Sequence, residues 1–228
     1  MTIALSCPES WRQLTLDQLR AVAELEGLAL TKSERLLILF CRFTGIKGNS
    51  RGHFVTSDGK EFDLTASELE NFCSSLAFIH DEKPLDIVNP TTVNGHLMDT
   101  KFGDYFKANV LLSRFDANDP DLALVLKALG LLGDKREEIT MTEASMVLLW
   151  WTGVQRWLVN KYPNVLKDRE NNSEPCSPME ARKNIMLMLN QGRPQDNEAI
   201  EEANVHDVLA AVEFHIEEAN RLRERMKP

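Results

Sequence analysis

Apolar residues recur at helical spacing along most of the chain, and each run follows a local helix-start signal. The signal is the capping box, in which a Thr or Ser caps free backbone N–H groups and a Glu or Gln three residues later caps its N–H in return. The capping boxes are Thr15…Gln18, Thr31…Glu34, Thr65…Glu68, Thr140…Glu143 and Ser177…Glu180. Asp119-Pro120 indicates a sixth start, because proline is favoured in the first helical turn.

One helix and one hairpin define the expected core. Residues 36–43 are apolar nearly all round, so we expect this helix to be the most buried. Residues 53–64 form two short alternating runs around Asp58-Gly59, which favours a hairpin with a type I′ turn. Because an isolated hairpin is marginally stable, residues 84–88 are a candidate third strand.

These elements predict a mostly α fold, an irregular helical bundle with a small β-hairpin and a C-terminal helical arm. Residues 1–166 are predicted to form the helical body, with the hairpin at 53–64. Residues 167–228 are predicted to supply a loop and C-terminal helices packed on that body. The polar stretch 167–178 lacks periodicity and predicts a mobile loop, and Gly192 is the expected cap of the short helix after it.

Composition and charge narrow the class of partner. The chain has 228 residues and a formal net charge of −9, which counts against nucleic acid because nucleic-acid binders neutralise phosphates with Lys and Arg. No apolar run approaches the ~18 residues of a membrane span, and the N-terminus lacks the basic start of a signal peptide. We therefore expect a cytoplasmic protein, without a membrane partner, whose four cysteines are reduced.

The residues that carry enzyme chemistry are scattered. His80-Asp81-Glu82 is the one tight group of metal-ligand types, and its spacing matches no known metal motif. Residues 45–52 form a Gly-rich, basic connector that lacks the order of a phosphate-binding loop. No catalytic, cofactor-binding or metal-binding residue is predicted, and no cofactor is expected.

Partner-binding residues are predicted on two helices. Trp151 points away from the face shared by Trp150 and Trp157, and tryptophan is enriched in interface hot spots. Val208, Val212 and Ile216 belong to the apolar stripe of the terminal helix. That stripe either folds back on the body or pairs with another chain, a second copy included. We expect fold-back for the first half of the helix and a projecting end after Arg221.

Three stretches carry a family resemblance. They are Ser10-Trp11-Arg12-Gln13-Leu14-Thr15-Leu16-Asp17-Gln18-Leu19, then Arg42-Phe43-Thr44-Gly45, and Met188-Leu189-Asn190-Gln191-Gly192 with Val208 and Glu217-Glu218-Ala219. The chain resembles uncharacterised proteins of bacterial prophage tail-gene clusters, in which Trp-x-x-Leu-Thr-x-x-Gln-Leu leads into a helical body. The small acidic helical proteins there resemble tail assembly chaperones, which keep the tape-measure protein soluble before the tail tube forms. The resemblance implies a non-enzymatic protein whose partner is a phage tail protein.

Two other hypotheses remain open on the sequence alone. One is an enzyme whose site is assembled from dispersed residues such as His80, Asp81, Glu82 and His96, which predicts a deep pocket lined by titratable groups. The other is a regulatory or DNA-associated module, which predicts a basic face strong enough to outweigh the acidic net charge.

Overall fold

Helices follow one another along the chain, interrupted by one small sheet. The computed structural model describes residues 5–48, 53–166, 178–191 and 193–226. The helices are α1 Leu16–Glu26, α2 Lys32–Thr44, α3 Ala66–Ser75, α4 Phe78–Asp81, α5 Phe102–Leu112, α6 Leu122–Leu131, α7 Met141–Lys161, α8 Pro163–Leu166, α9 Pro178–Asn190, α10 Asn197–Glu202 and α11 Val205–Arg225. The strands are β1 Lys47–Gly48, β2 His53–Val55 and β3 Glu61–Asp63. The predicted mostly α class with a small hairpin is confirmed.

The helix starts form as their local chemistry predicts. Thr15, Thr31, Thr65 and Thr140 each accept a hydrogen bond from the backbone N–H three residues on, and the Gln or Glu side chain there accepts from the N–H of the threonine. The predicted start at Asp119-Pro120 lies two residues further on, because Asp121 caps α6 by accepting from the backbone N–H of Ala123. The predicted box at Ser177, the loop at 167–178 and the cap at Gly192 include residues outside those described.

The sheet corrects two details of the predicted hairpin. β2 and β3 pair antiparallel, but the third strand is β1 on the other edge of β2, and residues 84–88 form no strand. The turn is also different, because Gly59 has positive φ whereas Asp58 does not. The N–H of Gly59 donates to the carbonyl of Thr56, and the N–H of Thr56 donates to the carbonyl of Lys60. These bonds define a three-residue loop with a glycine bulge, the other common hairpin connection.

The chain divides into two compact units, and the first comprises Met1–Pro90 and Ser145–Gly153. Trp11 anchors its N-terminal segment: the indole N–H donates to the carbonyl of Glu82 across 3.0 Å, and the ring packs edge-on against Phe78. Leu14 is buried three residues later, next to the cap Thr15. The Trp-x-x-Leu-Thr phrase therefore works as a structural entry into α1.

The second unit comprises Thr91–Ala144 and Val154–Pro228, so α7 contributes to both units. Its centre is α5, which buries Phe102, Tyr105 and Phe106 and contacts α6, α9, α10 and α11. The C-terminal helices thus share a unit with residues 91–144, which differs from the predicted division at residue 166. Periodicity shows which face of a helix is apolar, but it does not show which other element covers that face.

The α2 helix is less buried than its composition predicts. Leu36, Leu39 and Phe40 are buried, whereas Leu37, Ile38 and Phe43 are half-buried. The most completely buried helix is instead α5, six of whose eleven residues are buried. An all-round apolar helix is fully covered only where neighbours exist on every side, and composition does not reveal those neighbours.

Candidate protein-binding surface

The residues of the dispersed-enzyme hypothesis have separate structural partners. The Lys32 ammonium lies 2.6 Å from the Asp81 carboxylate, and the Glu82 carbonyl accepts from Trp11. Burial lowers the pKa of His80, and the nearby cations of Arg35 and Lys32 lower it further. These residues belong to the first unit and His96 to the second. Within the described residues, no group of three or more His, Cys, Asp or Glu side chains is arranged to hold a metal ion.

The described thiols and the buried Asp134 carboxylate have pKa values shifted by their surroundings. Cys7, Cys41 and Cys73 are free and half-buried, and burial raises the pKa of Cys7 to about 11, which disfavours the reactive thiolate. Cys176 lies outside the described residues. Asp134 is buried, which alone would raise its pKa, but hydrogen bonds from Arg136 and from the backbone of Thr92 outweigh burial and lower the pKa to about 2. The Asp134 carboxylate therefore links its own loop to the loop that contains Thr92 by hydrogen bonds.

The Gly-rich connector is only partly described. Gly45 adopts positive φ and ends α2, and Lys47 and Gly48 form strand β1. Residues 49–52, which complete the candidate anion loop, lie outside the described residues.

A buried histidine fixes the start of α11. The Nε2 atom of His206 lies 2.7 Å from the carbonyl oxygen of His96, and its Nδ1 atom lies 3.1 Å from the hydroxyl oxygen of Tyr162. A neutral ring satisfies both contacts when Nε2 donates to the carbonyl and Nδ1 accepts from the hydroxyl. Burial lowers the pKa of His206, the bond to His96 opposes this shift, and the Lys161 cation adds to it.

The His96 backbone is itself held in an uncommon conformation. His96 and Leu97 both have positive φ, 60° and 63°, and the His96 ring stacks on Trp157 with 4.2 Å between centroids. Trp157 also meets the edge of His206. This cluster was missed in the sequence, because scattered histidines carry no signal of shared burial.

The apolar stripe of α11 follows the heptad spacing of a coiled coil. Positions a and d, spaced alternately three and four residues apart, form one continuous line along a helix. In α11 these positions are Val205, Val208, Val212, His215, Ala219, Leu222 and Met226. Leu222 and Met226 are absent from the predicted stripe, although extending the heptad count would have found them.

The first half of this stripe is buried within its own unit. Val208 is 4% exposed and Val212 is 1% exposed, and α11 contacts α5, α8 and α9. The backbone N–H of Asn164 in α8 donates to the Glu213 carboxylate across 3.1 Å. Ile216, one turn beyond Val212, is half-buried. The folded-back part of α11 therefore ends near residue 216.

The second half of the stripe is exposed. His215, Ala219, Leu222 and Met226, here named the α11 seam, all lie on the solvent side, with Leu222 53% and Met226 82% exposed. Every described residue from 217 to 226 is exposed. The helix nevertheless remains regular to Arg225. The seam thus continues the buried valine line beyond the elements that cover it.

Charged residues flank the α11 seam in two blocks. Glu217 and Glu218 precede its centre, and Arg221, Arg223 and Arg225 follow it, with Glu224 at the outward f position among them. Arg221 and Glu217 form an exposed ion pair of 3.7 Å within the helix. Glu218 and Arg225 occupy g positions, and Arg223 occupies an e position, directly beside the seam.

The predicted partner-binding residues lie deeper than the α11 seam. Trp151 is 5% exposed and packs near Trp150, with their ring centroids 6.1 Å apart. Val208 and Val212 are buried, as described above, and Ile216 is half-buried. In this conformation a partner reaches Leu222 and Met226, on the same stripe, more readily than these four residues.

Membrane and family comparisons complete the description. Among the described residues, no helix combines the length and apolarity needed to cross a membrane. Comparison with protein-family models, with curated proteins and with solved structures gave no match.

Proposed function

We propose that this chain is a non-enzymatic, cytoplasmic protein-binding factor that acts like a phage tail assembly chaperone. In this role the α11 seam binds an apolar helix of a tail protein, here called the client. One observation carries the proposal: the heptad stripe of α11 is buried as far as Val212 and exposed at Leu222 and Met226. The phage context comes from the resemblance of the Trp11–Leu19 and Arg42–Gly45 stretches.

The α11 seam leaves apolar side chains in contact with water. Covering apolar surface is favourable by about 25 cal/mol per Å², so Leu222 and Met226 gain free energy when a second helix lies on them. A client helix with apolar residues at heptad spacing matches the seam, and this helix-on-helix mode is a common way to recognise peptides. The net charge of −9 disfavours nucleic acid, and the exposed apolar seam favours a protein helix as the partner.

Co-expression with a tape-measure protein tests this function. We expect the wild-type chain to increase the soluble fraction of the tape-measure protein encoded nearest to its gene, and to co-purify with it. The variant Leu222→Asp, Met226→Asp should lose both effects, because two carboxylates on the seam oppose apolar contact. Phe214→Asp is the matched control, since Phe214 is 60% exposed but occupies a c position away from the seam.

The comparison of these variants decides the matter. Circular dichroism should show that all of them fold like the wild type, because each substituted residue is exposed. If the seam variant still solubilises the tape-measure protein as well as the Phe214 variant, the seam is not the binding surface. If the wild type has no effect on solubility and binds no tail protein, the proposed function is wrong.

A further inference from the structure

We infer that, before a client binds, the α11 seam is covered by the α11 seam of a second copy of this chain, with the two helices antiparallel. The inference rests on the proposed function only in assigning the same surface to the client. The self-pairing itself is argued from the heptad positions and the charges of α11.

The apolar positions of two α11 seams match each other when the helices are antiparallel. In an antiparallel coiled coil, an a position of one helix packs against a d position of the other. Aligning Ala219 with the second copy's Leu222 also aligns Met226 with the second copy's His215, and the two-fold axis repeats both layers. The small Ala219 makes room for the large Leu222, so side-chain volume is complementary in this layer, and the other layer brings the His215 ring against Met226.

The charges beside two antiparallel α11 seams are complementary. In the same register, the g position Glu218 of one copy faces the g position Arg225 of the other, and symmetry produces this pair twice. The basic end of each helix, Arg221 to Arg225, then lies beside the acidic Glu217 and Glu218 of its partner copy. Opposite charges at such flanking positions select both partner and orientation.

A parallel arrangement has a poorer apolar match. It would place the arginines of one copy beside the arginines of the other, and it would oppose His215 to His215 and Ala219 to Ala219. In a parallel pair a g position faces the e position five residues later in the other chain, so Glu218 would meet the second copy's Arg223 and not its Arg225. The antiparallel arrangement is therefore favoured by its apolar layers, and the two arrangements differ in which arginine meets Glu218.

The expected strength is low, which suits a surface that must later be released. The seam from His215 to Met226 spans about 17 Å at 1.5 Å per residue, or three helical turns. Such a contact lies below the area of roughly 1,200 Å² typical of stable complexes. We expect a dissociation constant on the order of 100 µM, so that a client with a longer apolar helix displaces the second copy.

Sedimentation velocity on the full chain tests the inference. From about 5 to about 500 µM, a range that brackets the expected constant, the wild type should pass from monomer to dimer. Glu218→Arg and Arg225→Glu should each weaken the dimer about tenfold or more, because each places like charges together. An equimolar mixture of the two variants should regain wild-type association through a heterodimer. In that heterodimer Arg225 of the first variant faces Glu218 of the second, and the two substituted residues, which also carry opposite charges, face each other. Phe214→Asp should leave the dimer unchanged.

Several outcomes would overturn the inference. A wild type that stays monomeric at about 500 µM would show that a second copy does not cover the seam. If Glu218→Arg weakens association while Arg225→Glu does not, the helices pair parallel. If Leu222→Asp leaves the dimer intact, self-association uses another surface. A monomeric wild type that still solubilises the tape-measure protein through Leu222 and Met226 would refute self-pairing and leave the proposed function standing.

Discussion

His206 and His96 are joined by a 2.7 Å hydrogen bond from the imidazole Nε2 to a backbone carbonyl oxygen. This bond connects the first turn of α11 to the turn at Gly95–Leu97. The Tyr162 hydroxyl lies 3.1 Å from Nδ1 on the other side of the His206 ring. The start of α11 is therefore fixed to other elements by polar contacts as well as by Val205 and Val208, whereas the ion pair of Glu217 and Arg221 beyond Ile216 lies within the helix itself.

We expect acid to weaken this anchor. The pKa of His206 is lowered in the folded chain from the ordinary value of 6.5, so the unfolded chain takes up a proton first as the pH falls. The stability contribution is therefore complete above pH 6.5 and is lost progressively below it. The groups that face the ring are Lys161, Tyr162 and His96, with Asp207 on its own helix.

Denaturant unfolding at about pH 7.5 and about pH 5.5 measures this effect, because these values bracket the ordinary histidine pKa. His206→Gln should have a smaller loss of stability between the two pH values than the wild type. His215→Gln is the matched control, since His215 is exposed on the same helix, and it should retain the wild-type pH dependence. An unchanged pH dependence in the His206 variant would show that another group is responsible.

Charges placed on the buried half of the stripe should unfold the chain. Val208→Asp, Val212→Asp puts two carboxylates without partners among the helices that cover α11, where each uncompensated burial costs several kcal/mol. We expect a steep fall in melting temperature. Leu222→Asp, Met226→Asp makes the same chemical change on the exposed half and should melt within a few degrees of the wild type. Equal melting temperatures for the two double variants would contradict the division of α11 near residue 216.

Replacing each of two glycines of the second unit by alanine should change the free energy of unfolding in opposite directions. A Cβ at Gly103 would lie 3.3 Å from the carbonyl oxygen of Glu201, and at Gly130 it would meet nothing within 4 Å. Gly103→Ala should therefore destabilise by about 1–3 kcal/mol, as overpacking does. Gly130→Ala should stabilise by up to about 1 kcal/mol, because alanine favours the helix. Chemical denaturation gives both values, and a stabilising Gly103 variant would show that α5 and α10 are less closely packed.

Local features were predictable from the sequence because the interacting groups are close along the chain. The four described capping boxes each join residues three apart, and the position of the hairpin follows from Asp58-Gly59. The turn type was wrong, because a two-residue and a three-residue loop share the same Asp-Gly signal. The predicted third strand at residues 84–88 was also wrong. Residues 47–48 pair with β2 instead, and the sequence does not show that the chain brings them beside β2 after α2 ends.

The candidate surface was only partly predictable. The apolar stripe of α11 and its projecting end are visible in the spacing of the sequence, but the residue at which cover ends is not. It depends on the elements that pack against α11, among them α8, whose Asn164 N–H donates to the Glu213 carboxylate. Trp151 was predicted to bind a partner because tryptophan is enriched in interfaces. It is nevertheless buried, because a tryptophan side chain packs equally well in a core.

Amide hydrogen exchange on the complex with the co-purified client tests the central claim most directly. In the free chain at low concentration, residues 205–212 should exchange slowly and residues 217–225 quickly, since only the first half is covered. On client binding, the account predicts new protection confined chiefly to residues 215–226. Unchanged exchange in that segment, with new protection elsewhere in the chain, would contradict the claim that the α11 seam is the binding surface.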